Sequence, residues 1–292
     1  AMTLAIAGMS PAAKLAHQLG GLAGIAELKY LDNTLDNKEN LIAFANGLTQ
    51  IHALMLNSPK QFLIVGEDEH LNTYRKTLSN LWPTANNTED FAHFAIPSVS
   101  EKIKQAWLTN TQVNFCSKAY PTVPADHPDA AALTVLGGFL RNGYLHRAIR
   151  EQGGAYGGGA SQDNTIAAFR FYSYRDPRLS ETLDDFDASL SWLRETQHSN
   201  QSLEEAILGV IGSIDKPGSP AGEAKSTYQA ELFGRTREKR EQFRSRVVNV
   251  TLNDLLRVAD VYLKLEAASI GIVSHVAHQE KLMALGLELH NL

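Results

Sequence analysis

Two side chains able to donate hydrogen bonds stand six residues apart across a run of glycines. They are Arg150 and Tyr156, in the stretch LRNGYLHRAIREQGGAYGGGA (Leu140–Ala160). A guanidinium carries several N–H donors in a fixed fork and a phenol carries one O–H. Together they have the chemistry to hold a peptide carbonyl and to stabilise the oxyanion formed when water attacks it. Glycines at 153, 154, 157, 158 and 159 leave Tyr156 as the only large side chain among them, and they let backbone approach a ligand closely. Gly153, Gly154, Gly157 and Gly158 are therefore read as substrate-facing backbone beside the pair. Each residue also has a plainer role. A cation near a helix C-terminus interacts favourably with the last carbonyls, and a tyrosine in a glycine-rich loop can serve as an aromatic anchor. Phosphate binding is not supported, because GGAYGGGAS has no Lys-Ser/Thr at the Walker spacing and follows a helix instead of opening one.

The elements that must position the pair are legible on either side. Leu133, Leu136, Leu140 and Tyr144 recur at three- and four-residue steps, which predicts an apolar helical stripe, with Leu145 and Ile149 beside it. Gly153-Gly154 predicts its end near Glu151–Gln152, since glycine suits a left-handed cap. Beyond the glycine loop, residues 167–174 alternate with a period of two, which predicts a strand.

Metal chemistry has no motif in the chain. None of the ten histidines sits in H-x-x-E-H or H-E-x-x-H. His275 and His278 have a ligand-like spacing but no nearby acidic third ligand, and they are read as surface groups. His17, His93, His127 and His146 carry no readable site. Asp184, Asp185 and Asp187 are read as the wet face of a helix. Trp82, Trp107 and Trp192 are read as core or interface residues. Cys116 is the only cysteine, which excludes an internal disulfide and a cysteine-rich metal site.

The stretch Leu140–Ala160 resembles the C-terminal half of pitrilysin/insulinase-type zinc metallopeptidases, in the presequence-protease-like branch. The flanking chain resembles that half as well, so the similarity covers most of the sequence. In that family an Arg near a helix end and a Tyr six residues later, across a Gly-Gly turn, reach the active site. The resemblance implies that Arg150 and Tyr156 are the catalytic and substrate-binding pair. It also implies a clamshell enzyme that encloses unstructured peptides between two halves. The zinc motif belongs to the N-terminal half, which the chain lacks. Zinc and its ligands would therefore come from that half of the same polypeptide, and this portion alone would hold no zinc and be inactive. The alternative is a non-catalytic pitrilysin-fold subunit that binds peptide or a partner protein, because members of the wider family do lose their zinc motif.

Bulk properties agree with a globular protein long enough for two domains: 292 residues, 43% hydrophobic and 20% charged. A net charge of −5 gives no basic footprint for nucleic acid. No apolar run reaches the roughly 18 residues needed to cross a bilayer, and the opening AMTLAIAGMSPAAKL has no basic leader. The expected compartment is cytoplasmic.

In chain order, helices are predicted over 10–28 (Ser10 as N-cap, Pro11 in the first turn), 37–57 and 70–81, with a short strand at Gln61–Val65 between the last two. A strand is predicted over 112–119, a helix after Asp176-Pro177, and a Ser202/Glu205 capping box before a further helix. Residues 235–246 read as a solvated helix face. Thr251 caps a helix, Ala268–Val273 is a strand, and Val276–Leu285 is a final helix. Helix, short apolar strand and helix thus recur near both ends, which suggests two related domains. Residues 1–90 are the C-terminal part of a truncated pitrilysin-like domain and 91–292 a complete one, joined by a linker at 82–97. The fold class is α+β, with an antiparallel-rich sheet and helices packed on one face.

Overall fold

Most of the predicted helices form where apolar periodicity and punctuating residues place them. The structure is a computed structural model, and it describes residues 1–58, 60–82 and 97–292. The expected linker, and His93 within it, fall almost wholly outside the described residues. After α1 (Met2–Ile6), α2 (Pro11–Gly20) starts as expected, with Ser10 Oγ accepting from the Ala13 N–H at 3.2 Å and Pro11 in the first turn. The single helix predicted over 10–28 is two helices. Gly21 is extended, and α3 (Leu22–Thr34) begins after it. α4 (Lys38–Asn57) is capped by the Asn37 carboxamide, which accepts from the Glu39 N–H at 2.8 Å, and α5 (Asp68–Leu81) follows.

The strand predicted at Gln61–Val65 is absent. That stretch is irregular, and Phe62, Leu63 and Val65 are each nearly half exposed. Apolar composition cannot make a strand without a neighbour to complete its backbone hydrogen bonds. One limb of the expected helix–strand–helix repeat is therefore missing.

The rest of the chain supplies a sheet and its helical cover. β1 (Lys104–Leu108) and β2 (Asn114–Pro121) precede α6 (Ala130–Leu140). α6 runs on as a wider π-type helix over Arg141–Gln152, leading to β3 (Gly157–Asp163) and β4 (Ala168–Asp176). Next come α7 (Ser180–Glu195), α8 (Asn200–Ile214), α9 (Pro220–Leu232), α10 (Arg237–Val248) and α11 (Leu252–Tyr262). β5 (Ser269–Ser274), α12 (Gln279–Ala284) and β6 (Glu288–Asn291) end the described chain. Two caps differ in outcome. Thr251 forms a capping box with Asp254 as predicted in type, whereas α8 is capped by Ser199, whose hydroxyl accepts from the Ser202 N–H.

The described chain groups into two compact units. One comprises Leu28–Ala95 and Lys216–Arg237. Within it Phe62 packs on Trp82 with ring centroids 5.5 Å apart, and the Tyr228 hydroxyl donates to Gln61 Oε1 at 2.7 Å. The other comprises Ala1–Glu27, Ile96–Asp215 and Glu238–Leu292, and it holds the sheet.

The sheet runs β3-β4-β2-β5-β1-β6. The β3–β4, β4–β2 and β2–β5 ladders are antiparallel, while β5–β1 and β1–β6 are parallel, so the expected antiparallel-rich α+β sheet is present. Alternation along β2 divides its faces. Cys116 and Tyr120 join the core under α6 and α7, and Lys118 reaches Asp187 of α7 on the same side. Ala119 packs with Ala5 and Ile6, so α1 covers part of the opposite face, while the large helical layer occupies one face.

α6 is buried almost all round, beyond the single stripe predicted. It lies so close to β3 that a Cβ on Gly137 would stand 2.9 Å from Ser161 Cα. Phe169, Phe171 and Phe186 form a chain of ring contacts beneath it, with Tyr120 edge-on to Phe171.

His17 sits in this unit with 8% of its surface exposed, edge-on to Trp107. Burial lowers its pKa below the usual histidine value of 6.5. The folded chain thus binds this proton less readily than the unfolded chain, and the stabilising effect is present above about pH 6.5 and lost as pH falls below it. The expected result is that unfolding midpoints drop as pH falls below about 6.5, and that His17→Gln flattens this slope. Midpoints measured by urea titration at successive pH values check it, and an unchanged slope in the variant refutes it.

Candidate functional site

The site is built at one edge of the sheet. The π-type helix ends at Gln152, as the glycine pair predicts: Gly154 has φ 79°, and its N–H donates to the Arg150 carbonyl at 3.1 Å. The Ala155 N–H reaches back to the Ile149 carbonyl, also at 3.1 Å. Buried Ile149 and Ala155 therefore clamp the turn from within, while Arg150 before it and Tyr156 after it are exposed. The turn leaves both candidate residues exposed on either side of it.

The predicted glycine loop is largely a strand. Gly157, Gly158 and Gly159 open β3 and pair with Tyr174, Ser173 and Tyr172 of β4. Glycine is poor in strands on its own account, so close packing must explain it here. A Cβ on Gly157 would stand 2.6 Å from the Tyr174 ring, one on Gly158 2.8 Å from Ile149, and one on Gly159 2.8 Å from Arg141. Gly153 is closed in the same manner by the Arg178 guanidinium, at 1.9 Å from an ideal Cβ. The glycines are thus first a packing device that lets large side chains lie across the turn, and Gly154 alone needs its positive φ.

Arg178 locks the turn from behind. Its Nη2 donates to the Ala148 carbonyl at 3.2 Å and to Asp185 at 2.8 Å. Asp176, fully buried, accepts from the Arg178 N–H at 2.9 Å and from the Thr182 hydroxyl at 2.8 Å. Asp185 and Asp187 are consequently not a wet face. Asp185 holds Arg178, and Asp187 takes Lys118 at 2.5 Å. His278 also departs from expectation. Its Nδ1 lies 2.9 Å from Ser274 Oγ and 3.2 Å from Asn114 Oδ1, both on buried residues, whereas His275 is half-buried and accepts from the nearby Ala277 N–H.

Tyr156 has partners that the sequence did not reveal. Its ring lies 5.5 Å from that of Tyr174, and the Arg175 guanidinium stands 5.5 Å from its centroid. The alternation over 167–174 indicated a strand there. Nothing in the residue types indicated that Arg175 turns back.

The one thiol adds no chemistry to this edge. Burial, then the nearby Asp176 carboxylate, pushes the Cys116 thiol up to about 12, which keeps it protonated and unreactive. Among the described residues, one cluster of three ligand-type side chains occurs, Glu67, Glu69 and His70, all exposed and in the other unit. Its composition does not match the two-histidine, one-glutamate pattern of a zinc peptidase. No helix among the described residues is long and apolar enough to cross a membrane.

Comparison with known proteins follows the same lines. Residues 104–277, from β1 through β5, match the family model described as the PreP C-terminal domain. A mitochondrial presequence protease of Yarrowia lipolytica is 34% identical over 272 residues, covering 90% of this chain and 26% of that protein. The chain thus spans about a quarter of the length of such relatives. Among solved structures, pitrilysin aligns with a TM-score of 0.52 at 12% identity, over 71% of this chain and 23% of its own. The peptidase M16 inactive domain from Pseudomonas fluorescens aligns with a TM-score of 0.52 at 16% identity, over 72% of this chain and 52% of its own. These two likenesses concern the fold. With the family model matched over more than half of its length, the chain belongs to the PreP C-terminal domain family, and its fold is that of pitrilysin.

Proposed function

We propose that the chain is the C-terminal part of a zinc-dependent metalloendopeptidase that degrades unstructured peptides. The observation that carries this is the clamped turn, which presents Arg150 and Tyr156 outward from a buried anchor. In this reading residues 1–90 are the end of a truncated domain, with α1 and α2 laid onto the sheet of the complete domain at 91–292. The N-terminal half of the same polypeptide supplies the metal, its ligands and the glutamate base, and the bound metal lowers the pKa of the attacking water. This half supplies the chamber wall and two donors. Arg150 holds a peptide carbonyl, the Tyr156 phenol donates to the developing oxyanion, and the Gly153–Gly158 backbone lies along the peptide. Closure of the two halves around the substrate completes the site.

The test begins with the size of the natural protein. A denaturing blot of source cells, with antibody raised against this chain, is expected to show a band several-fold larger than 32.0 kDa. The protein isolated by that antibody is expected to cleave an unstructured peptide in a chelator-sensitive manner. A single band at 32.0 kDa without cleavage overturns the proposal and favours a non-catalytic subunit that binds peptide or a partner protein.

A further inference from the structure

Tyr156 is 60% exposed, yet its ring is contacted by two consecutive residues of β4. The Tyr174 ring meets it at 5.5 Å with an interplanar angle of 56°, and the Arg175 guanidinium carbon lies over it at 5.5 Å. The main chain repeats the link, since the Tyr156 N–H donates to the Arg175 carbonyl at 3.3 Å.

Arg175 reaches this position at a cost. Its φ is 49°, in the left-handed region that L side chains disfavour. Glycine would take that backbone freely. What enforces the conformation is the next residue. The buried Asp176 carboxylate is tied to the Arg178 N–H and the Thr182 hydroxyl, and its carbonyl accepts from Asn114 Nδ2 at 3.3 Å. The strand is pinned at Asp176, and Arg175 folds back over the phenol. Its guanidinium has no carboxylate partner among the described residues, so the face of Tyr156 is the contact on which its charge is used. A strained residue that the surrounding structure over-determines, at an exposed site, points to a role beyond packing.

We propose that Arg175, with Tyr174 as a brace, is a positioning residue that fixes the Tyr156 phenol for oxyanion stabilisation. The inference rests on the role given above to Tyr156. A cation over the ring face holds the ring in one orientation and leaves the hydroxyl directed outward.

The test uses the full-length peptidase and three variants. Arg175→Gly removes the cation and relieves the backbone, Arg175→Lys keeps a cation, and Tyr156→Phe removes the hydroxyl. Arg175→Gly is expected to leave Tm unchanged or higher and to lower kcat about fivefold with KM nearly unchanged, the scale of one partly exposed cation–π contact. Arg175→Lys is expected to recover at least half of that loss. Placed on Tyr156→Phe, Arg175→Gly is expected to have no further effect. The proposal is overturned by unchanged kcat in Arg175→Gly, by an equal loss in the Tyr156→Phe background, or by a fall in Tm parallel to the loss of activity. Unchanged turnover in Tyr156→Phe alone would refute the role of the phenol itself. A loss there without one in Arg175→Gly would refute only the positioning role.

Discussion

Tyr156→Phe in the full-length peptidase is expected to lower kcat for an unstructured peptide on the order of 10²-fold, the scale of losing one oxyanion donor. The substitution is unusually clean at this position. Phenylalanine keeps the ring contacts with Tyr174 and Arg175, and it keeps the backbone bond from residue 156 to the Arg175 carbonyl. Only the O–H is lost, so Tm and KM should stay near their parent values while kcat falls. A ground-state contact would instead raise KM and leave kcat in place. Steady-state kinetics with a fluorogenic peptide distinguish the two patterns, and unchanged kcat sinks the assigned role.

Asp187→Ala is expected to lower the stability of the chain by about 3 kcal/mol. The Lys118 side chain is 8% exposed and its ammonium lies 2.5 and 2.6 Å from the two Asp187 oxygens. Removing the carboxylate strands a buried cation between β2 and α7, which costs roughly 3–5 kcal/mol in comparable pairs. The lower end applies because the Asp187 side chain is itself about one-third exposed, so water can reach the vacated space. Replacing both partners at once, Lys118→Met with Asp187→Leu, should recover most of the loss, since no charge remains to be desolvated. Urea unfolding followed by tryptophan fluorescence measures both variants. A loss below about 1 kcal/mol in Asp187→Ala would show that the pair behaves as a surface salt bridge.

How much of this was legible in the sequence depends on the range over which each feature is determined. α4 and α11 follow from their own residues, through periodicity and the caps at Asn37 and Thr251. The turn after Gln152 follows from Gly153-Gly154 for the same reason. β1 and β6 are five and four residues long and pair with each other across most of the chain, so no local pattern announces them. Gln61–Val65 shows the converse error, since its composition suits a strand but nothing pairs with it. Asp185 and Asp187 looked solvated because their partners lie off the helix, Arg178 in the link before α7 and Lys118 on β2. Arg150 and Tyr156 were singled out by family resemblance, since their types and spacing alone suit a helix-end cation and an aromatic anchor equally well, and the role given to them is the proposal made above. Tyr174, Arg175 and Arg178 were missed because a left-handed φ at an arginine, or a guanidinium lying over a glycine, leaves no trace in residue type.

The strand order also governs the timetable of synthesis. β2, β3 and β4 lie within residues 114–176 and pair through a hairpin and one further ladder, so that side of the sheet can assemble as soon as it leaves the ribosome. β1 pairs only with β5 and β6, which span residues 269–291. Its backbone must wait, unpaired, until the last part of this chain has been made. Such long-range pairing is slow and leaves an open edge while it waits. The edge that presents Arg150 and Tyr156 is therefore the early-formed side of the sheet, and the opposite side is where a nascent chain is most exposed to mispairing.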